Sequence, residues 1–366
     1  MRKLTLLFVL LIVFFCDAPV FASEYHVTDE DGEDLYQSDD YLPQYIKDIL
    51  NKKGVDNAES LSVSSILELL NEYINNAFSK YVNPFLQILI FIILISISKR
   101  IIDNHSNLLS FKVLFCSVIC LSLLRIFGSI NTEISVLIAS CSELISSLIP
   151  VFTGVILLGG GVASSATSAT SLAIVLSVFK TLLSDIALPL TTLAFIFMII
   201  EHLSPAFDGI NCTKHLKKWA VTLISFVTTM LLTVLSIQNV ISARADSLSL
   251  RSVKFAASSF IPLVGNAVGE SLKTVSNGVS FVKASIGASS SFALLLIALP
   301  VLCELFMIKI FSASACFFAS ACGCNEENSL LNNFAYIIDL FLSIIICILL
   351  LSFLVVFVFM FVAFGV

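Results

Sequence analysis

The sequence predicts an all-α polytopic membrane protein. About six to eight transmembrane helices are expected, with two broken or re-entrant segments in a tandem internal repeat, behind a signal peptide and a short extracytoplasmic helical segment. Three observations predict this. Of the 366 residues, 58% are hydrophobic and 13% charged, where a soluble domain is about half apolar and a quarter charged; the mean hydropathy is +1.01. Apolar runs long enough to span a bilayer recur along the chain. Short motifs recur at an almost constant offset. So much apolar surface exceeds what a soluble core of this size can hide, which excludes a soluble enzyme, a nucleic-acid-binding domain and a disordered tail.

At the N-terminus, Arg2 and Lys3 precede an apolar run from Leu4 to Phe15, Asp17 and Pro19 break it, and Val20-Phe21-Ala22 offers a small-residue cleavage site. The pattern reads as a secretory signal peptide over residues 1–22; an uncleaved anchor is the alternative and leaves the next segment on the same side. Residues 23–81 form an acidic extracytoplasmic segment. Glu24 to Glu72 holds thirteen Asp and Glu against three Lys, although the net charge of the chain is only −6, so the remainder is basic. Ser65 and Glu68 fit a capping box. Ile66, Leu69, Leu70, Tyr73, Ala77, Phe78 and Tyr81 recur at helical spacing. This predicts an amphipathic helix, lying on the membrane surface, packing on the first span or docking a partner.

Spans are expected near 85–98, 113–128, 186–200, 219–241, 292–311 and 334–364. Segments 134–183 and 251–290 are less regular. The first carries Pro150, Gly154 and Gly159-Gly160-Gly161; the second carries Arg251, Lys254, Glu270, Lys273 and Lys283. Lys99-Arg100 with Lys112, and Lys214 with Lys217 and Lys218, mark two cytoplasmic loops by the positive-inside rule. Trp219 then falls at an interface. The stretch 325–333, with Glu326 and Glu327, reads as a loop that adds nothing to this orientation.

Two motif pairs suggest a duplication. Ser146-Ser147-Leu148-Ile149-Pro150-Val151 resembles Ser258-Ser259-Phe260-Ile261-Pro262-Leu263, and Ile186-Ala187-Leu188-Pro189 recurs as Ile297-Ala298-Leu299-Pro300. The units are expected at 82–185 and 186–290, with a truncated third at 291–366. Both Ile-Pro segments must start and end outside, re-entering or crossing twice. Broken helices at matching places in two repeats point to a transport site. The candidate pore or docking segment therefore comprises Pro150, Gly154, Gly159, Gly160, Gly161, Arg244, Asp246, Arg251, Lys254, Pro262, Gly265, Gly269 and Lys273. The prolines would break helices, the glycines permit close backbone approach, and the cations favour anions. The run 163–171, rich in Ala, Ser and Thr, packs helices or lines a polar path. Charges inside spans, at Arg125, Glu143, Lys180, Asp185, Glu304, Lys309 and Asp339, need partners or snorkel to an interface.

No enzyme chemistry emerges, and no cofactor is expected. There is no phosphate-binding G-x-x-x-x-G-K-[ST] loop and no H-E-x-x-H pair. Gly287-Ala288-Ser289 resembles a serine nucleophile site only superficially, since no His follows it. Cys322-Gly-Cys324 is a weak metal signal without a second pair, and the ten cysteines show no regular spacing.

The stretch from Ser236 to Gly265, SIQNVISARADSLSLRSVKFAASSFIPLVG, closely resembles the stage III sporulation protein AE family of endospore-forming Firmicutes. The layout, the glycine turn at 159–161 and the Ile-Ala-Leu-Pro span are similar as well. Ser247 stands where that family's pattern has a Gly before the Leu-Arg pair, a minor departure. The resemblance covers most of the chain beyond about Ser60. It implies a permease-like channel component of the complex linking mother cell and forespore, needed for late forespore gene expression. It implies a multi-pass protein of the mother-cell-derived membrane around the forespore, its N-terminal segment facing the intermembrane space. The implied partners are the other stage III sporulation A-operon membrane proteins, including ring-forming subunits and a secretion-type ATPase, and indirectly stage II sporulation protein Q. The lipid bilayer is a further partner and nucleic acid is not. A non-conducting scaffold docking the rings and the ATPase is the alternative.

Overall fold

A computed structural model of the chain describes residues 63–101, 105–158, 162–203, 215, 218–234, 236–237, 244 and 264–361. The expected signal peptide and residues 23–62 of the acidic segment lie outside them. Among the described residues the fold is helical throughout, as expected. The elements are α1 Val63–Ile101, α2 His105–Leu158, α3 Val162–Thr181, a π-helical segment Leu182–Ala187, α4 Leu188–Leu203, α5 Lys218–Val234, α6 Val264–Ala321 and α7 Asn325–Phe361. Five stretches among the described residues are long and apolar enough to cross a membrane: Leu69–Ile101, Val113–Leu158, Ser165–Leu203, Gly278–Ala321 and Asn325–Met360. Lys218–Val234 is apolar but shorter.

Helix boundaries differ from expectation in an instructive way. The amphipathic segment before Tyr81 is continuous with the first span in α1, through Pro84. Pro150 does not break its helix either, but sits inside α2. A proline removes one backbone bond and crowds the preceding turn, a cost that neighbouring hydroxyls and packing can offset. Here Ser147 Oγ donates to the Leu144 carbonyl at 2.8 Å and Thr153 Oγ1 to the Ile149 carbonyl at 2.6 Å, and Pro150 itself faces outward. The expected span at 113–128 and the first part of segment 134–183 therefore form one helix. The rest of that segment runs through the π segment into the span expected at 186–200.

The stretch 325–333, expected as a loop, is the start of α7. Its turn from α6 is a Schellman motif. Cys324 N–H donates to the Ala319 carbonyl at 2.9 Å, Gly323 N–H to that of Ser320 at 3.1 Å, and Gly323 takes φ +71. The Cys-Gly-Cys spacing thus serves a tight helix–helix corner. Burial raises the Cys324 thiol above its ordinary pKa, against the opposing pull of Lys99.

Packing follows from the buried stripes. On α1, Ala77, Tyr81, Phe85, Ile88, Ile92 and Ile95 are buried at spacings of three and four and face α6 and α2. α6 packs chiefly on α7, and α3 on α2. Stacked rings fix relative heights. Phe127 of α2 lies on Phe195 of α4 with centroids 4.2 Å apart, and Phe152 of α2 on Phe359 of α7 at 4.4 Å. At the latter level α6 passes close to α7, because Gly287 lies directly beneath the Met360 side chain. The two Ile-Ala-Leu-Pro stretches bury the same two positions, Ala187 at the end of the π segment with Leu188 of α4, and Ala298 with Leu299 of α6, while Ile186 and Pro189 are more exposed than Ile297 and Pro300.

Candidate functional site

The expected site residues are only partly brought together. Pro150 and Gly154 lie one turn apart on the outward face of α2. Arg244 is exposed, and Gly265, Gly269 and Lys273 belong to the first turns of α6. Gly159, Gly160, Gly161, Asp246, Arg251, Lys254 and Pro262 lie outside the described residues.

What the fold does assemble is a set of ionic ties between helices. In the largest, Lys80 of α1 reaches two carboxylates at once. Its Nζ donates to both oxygens of Glu304 on α6, at 3.0 and 3.1 Å, and bonds Glu133 of α2 as well. Tyr81 Oη donates to Glu304 Oε2 at 2.6 Å, and the Lys80 ammonium stands 5.1 Å from the Tyr81 ring centroid. Two carboxylates share one ammonium and one phenol, so three helices are joined at a single point. Glu304 is the more buried of the two carboxylates, at 18% side-chain exposure. A second tie joins Lys309 of α6 to Asp339 of α7. A third sits at the α6–α7 corner, where Lys99 Nζ lies 3.6 Å from Glu327 Oε2. Glu327 is fully buried, with Cys116 Sγ 3.8 Å from its other oxygen. Ser96 Oγ donates to the Cys322 carbonyl at 3.1 Å, fastening the end of α1 to the same corner.

The first and third ties stand about 28 Å apart along α1, at 1.5 Å per residue. That is close to the roughly 30 Å thickness of a hydrocarbon core. Between them the outward faces carry large apolar side chains, among them Leu86, Ile90, Ile93 and Ile97 of α1 and Leu193, Ile196 and Ile200 of α4. This is a surface built for lipid. Sequence reasoning marked Glu304, Lys309 and Asp339 as charges in need of partners but did not single out Lys80 or Glu133. The signal for Lys80 was present, one apolar run ahead of Lys99, but its partners are remote in sequence.

Above the Glu304 level the outward faces change character. On α2 the exposed positions beyond Glu133 include Ser135, Val136, Ala139, Glu143, Ser146, Pro150 and Gly154; on α3 they include Ala166, Thr167, Thr170, Ala173, Ile174, Ser177, Val178, Lys180 and Thr181. The α2–α3 hairpin therefore interleaves small and hydroxyl-bearing residues with bulky ones, Val136, Leu157, Val162, Ile174 and Val178 among them, where the lower half presents mainly Leu and Ile. A built Cβ at Gly128 or Gly154 would meet no atom within 4 Å. Nothing among the described residues requires those two positions to be glycine. α2 is also too long for one bilayer. Its apolar part of 46 residues measures about 69 Å, against about 45 Å for a membrane with its headgroups.

Comparison with known proteins agrees with this architecture. The chain is similar to stage III sporulation protein AE of Bacillus subtilis (strain 168), with 22% identity over 267 residues, covering 71% of this chain and 67% of the relative. No solved structure matches. The family model described as stage III sporulation protein AE matches residues 44–363, nearly the whole described bundle and the Ser236–Gly265 motif with it, so the chain belongs to the stage III sporulation protein AE family.

Proposed function

We propose that this sporulation protein is a permease-like channel component of the complex that links mother cell and forespore. It would sit in the mother-cell-derived membrane around the forespore, with its N-terminal segment and the tip of the α2–α3 hairpin on the side of the intermembrane space. The other stage III sporulation A-operon proteins, ring-forming subunits and a secretion-type ATPase among them, would be its partners, and stage II sporulation protein Q would join from the forespore side. Energy would come from the ATPase, since this chain carries no phosphate-binding loop.

One observation carries the reading: the hydroxyl row on the outward face of α3, Thr167, Thr170 and Thr181. It lies in a segment apolar enough to cross a membrane. Thr170 Oγ1 donates to the Ala166 carbonyl at 3.0 Å, and its lone pairs remain open to a donor that water or protein supplies and lipid does not. The test is labelling of single cysteines at these three positions by a membrane-impermeant thiol reagent in sporulating cells, with Ile90→Cys and Ile93→Cys as lipid-facing references. A conduit lining labels at all three and the references stay silent; silence at all five removes the conduit.

The ionic ties favour a second reading. The charges of the bundle core are spent on one another, Lys80 on Glu133 and Glu304 and Lys309 on Asp339, as in a rigid scaffold for partner rings. In that case Thr170→Cys gains reactivity only when the partners are absent.

A further inference from the structure

We propose that copies of this chain associate side by side through the α2–α3 hairpin, the outward row of α2 in one copy packing on the outward row of α3 in the next, with Glu143 of one copy paired to Lys180 of its neighbour. Four observations meet here. The first is charge. Glu143 and Lys180 are both exposed, and neither has an ion-pair partner among the described residues. Both stand in helices apolar enough to cross a membrane, where an uncompensated charge is costly.

The second is height. Phe127 stacked on Phe195 gives α2 and α4 a common level. From there Glu143 lies about 24 Å up α2, and Lys180 about 22 Å up the returning helix through the π segment, at 1.5 Å per residue. Two copies inserted with the same orientation therefore bring these opposite charges to one level without any vertical shift.

The third is shape. Lys180 closes a straight row with Ala173 and Ala166 at seven-residue spacing on α3. Glu143 stands beside a matching row of Thr132, Ala139 and Ser146 on α2. Rows of small residues let two helices approach closely in a membrane. The fourth is the pair of glycines. Gly128 and Gly154 flank this face and meet no atom within 4 Å at a built Cβ, so their smallness serves no contact among the described residues. A lipid occupant would favour the Leu and Ile found on the outward faces of α1 and α4; on the hairpin such bulky residues are interleaved with the small rows, at Val136, Leu157, Ile174 and Val178.

The contact uses different patches on the two partners. Because all copies share one membrane orientation, repeating it rotates about an axis normal to the membrane and closes into a ring when the angle allows. The inference does not depend on the conduit reading, since a scaffold can be built from such a ring equally well.

The test is trans-complementation between full-length chains in native membranes. One chain carries Ser146→Cys and the other Ala173→Cys, and a short bis-maleimide joins them; chains lacking the new cysteines measure the background from native thiols. The wild-type pair should give a cross-linked dimer. Glu143→Lys in both chains, or Lys180→Glu in both chains, should lose it. Glu143→Lys in the Ser146→Cys chain mixed with Lys180→Glu in the Ala173→Cys chain should restore it. Restoration in trans cannot come from a Glu143–Lys180 pair within one chain. Glu143→Gln and Lys180→Gln, which add no repulsion, guard against misfolding and should weaken the dimer band while leaving membrane yield unchanged. A wild-type pair without the dimer, or a dimer indifferent to both reversals, overturns the proposal, as does failure of the mixed pair in membranes where both variants insert at wild-type yield.

Discussion

The lower half of the bundle and the α2–α3 hairpin above it expose similar kinds of helix to their surroundings but with different residues. Between the Lys99 and Glu304 levels the outward faces are mainly Leu, Ile and Phe, and apart from the exposed Arg125 the charges pair with one another. On the hairpin the outward faces mix Gly, Ala, Ser and Thr with Val136, Leu157, Ile174 and Val178, and the charges Glu143 and Lys180 turn outward. Small residues and outward charges are thus more frequent on the hairpin than below it. A helix in lipid gains from bulky apolar side chains and loses by an outward charge, whereas a helix awaiting a protein neighbour gains from small ones. On the association proposed above, the difference would separate a membrane anchor from an assembly surface within one bundle.

The largest effect should come from breaking a tie in the lower half. Lys99→Met leaves Glu327, which is wholly inaccessible to solvent, without its cation. Breaking one side of a buried pair costs about 3 kcal/mol or more, so the thermal midpoint in detergent should fall sharply. Adding Glu327→Leu should recover most of the loss, because an apolar pair of similar volume is nearly neutral. Glu143→Gln on the hairpin should leave the isolated chain within about 0.5 kcal/mol of wild type. A Glu143→Gln loss as large as that of Lys99→Met would mean that Glu143 is a structural charge, and the contrast between the regions would collapse.

Glycine gives a smaller effect with opposite signs in the two regions. Gly323 holds φ +71 in the α6–α7 corner, where a Cβ costs about 1–2 kcal/mol. Gly154 sits on the open face of α2, where Gly→Ala in a helix gains up to about 1 kcal/mol. Gly323→Ala should therefore lower the midpoint in detergent and Gly154→Ala raise it. A loss for Gly154→Ala would place a neighbour within this chain against that face.

Much of the fold was legible because hydropathy and charge are local signals. The helical class followed from the apolar runs. The boundaries were not legible at Pro84 and Pro150, because tertiary packing and hydroxyls such as Thr153 hold helices together through residues that break them in isolation. The stretch 325–333 looked like a loop because Glu326 and Glu327 are polar. Yet acidic residues suit the first turn of a helix, and Lys99, remote in sequence, neutralises Glu327. The Lys80 cluster was invisible for the same reason. Its members lie in three helices, and nothing local to Lys80 announces Glu133 or Glu304. Pro150 and Gly154 were marked as a break and a close approach, and the folded chain keeps only the second role open for them, on a face that nothing within the described residues covers.

The most delicate reading of the contrast uses fluorescence and leaves stability almost untouched. The chain has a single tryptophan, Trp219, 69% exposed at the start of α5, where an amphipathic ring suits the headgroup level. With Trp219→Phe as a silent background, Ile90→Trp and Ala139→Trp place a probe on each outward face in turn. In vesicles containing lipids brominated along their chains, Ile90→Trp should be strongly quenched, because that face of α1 meets acyl chains. Ala139→Trp should be quenched weakly when copies associate, and more strongly once Glu143→Lys drives them apart, if the hairpin stands in the membrane. If it projects into water instead, Ala139→Trp should resist the lipid quencher in both backgrounds and yield to soluble iodide only after Glu143→Lys. Both results separate the hairpin from the lipid-facing half, and they differ only in what surrounds the hairpin when its neighbour is removed. Equal quenching at Ile90→Trp and Ala139→Trp, unchanged by Glu143→Lys, would mean that small residues face lipid here as large ones do, and the two regions would be one.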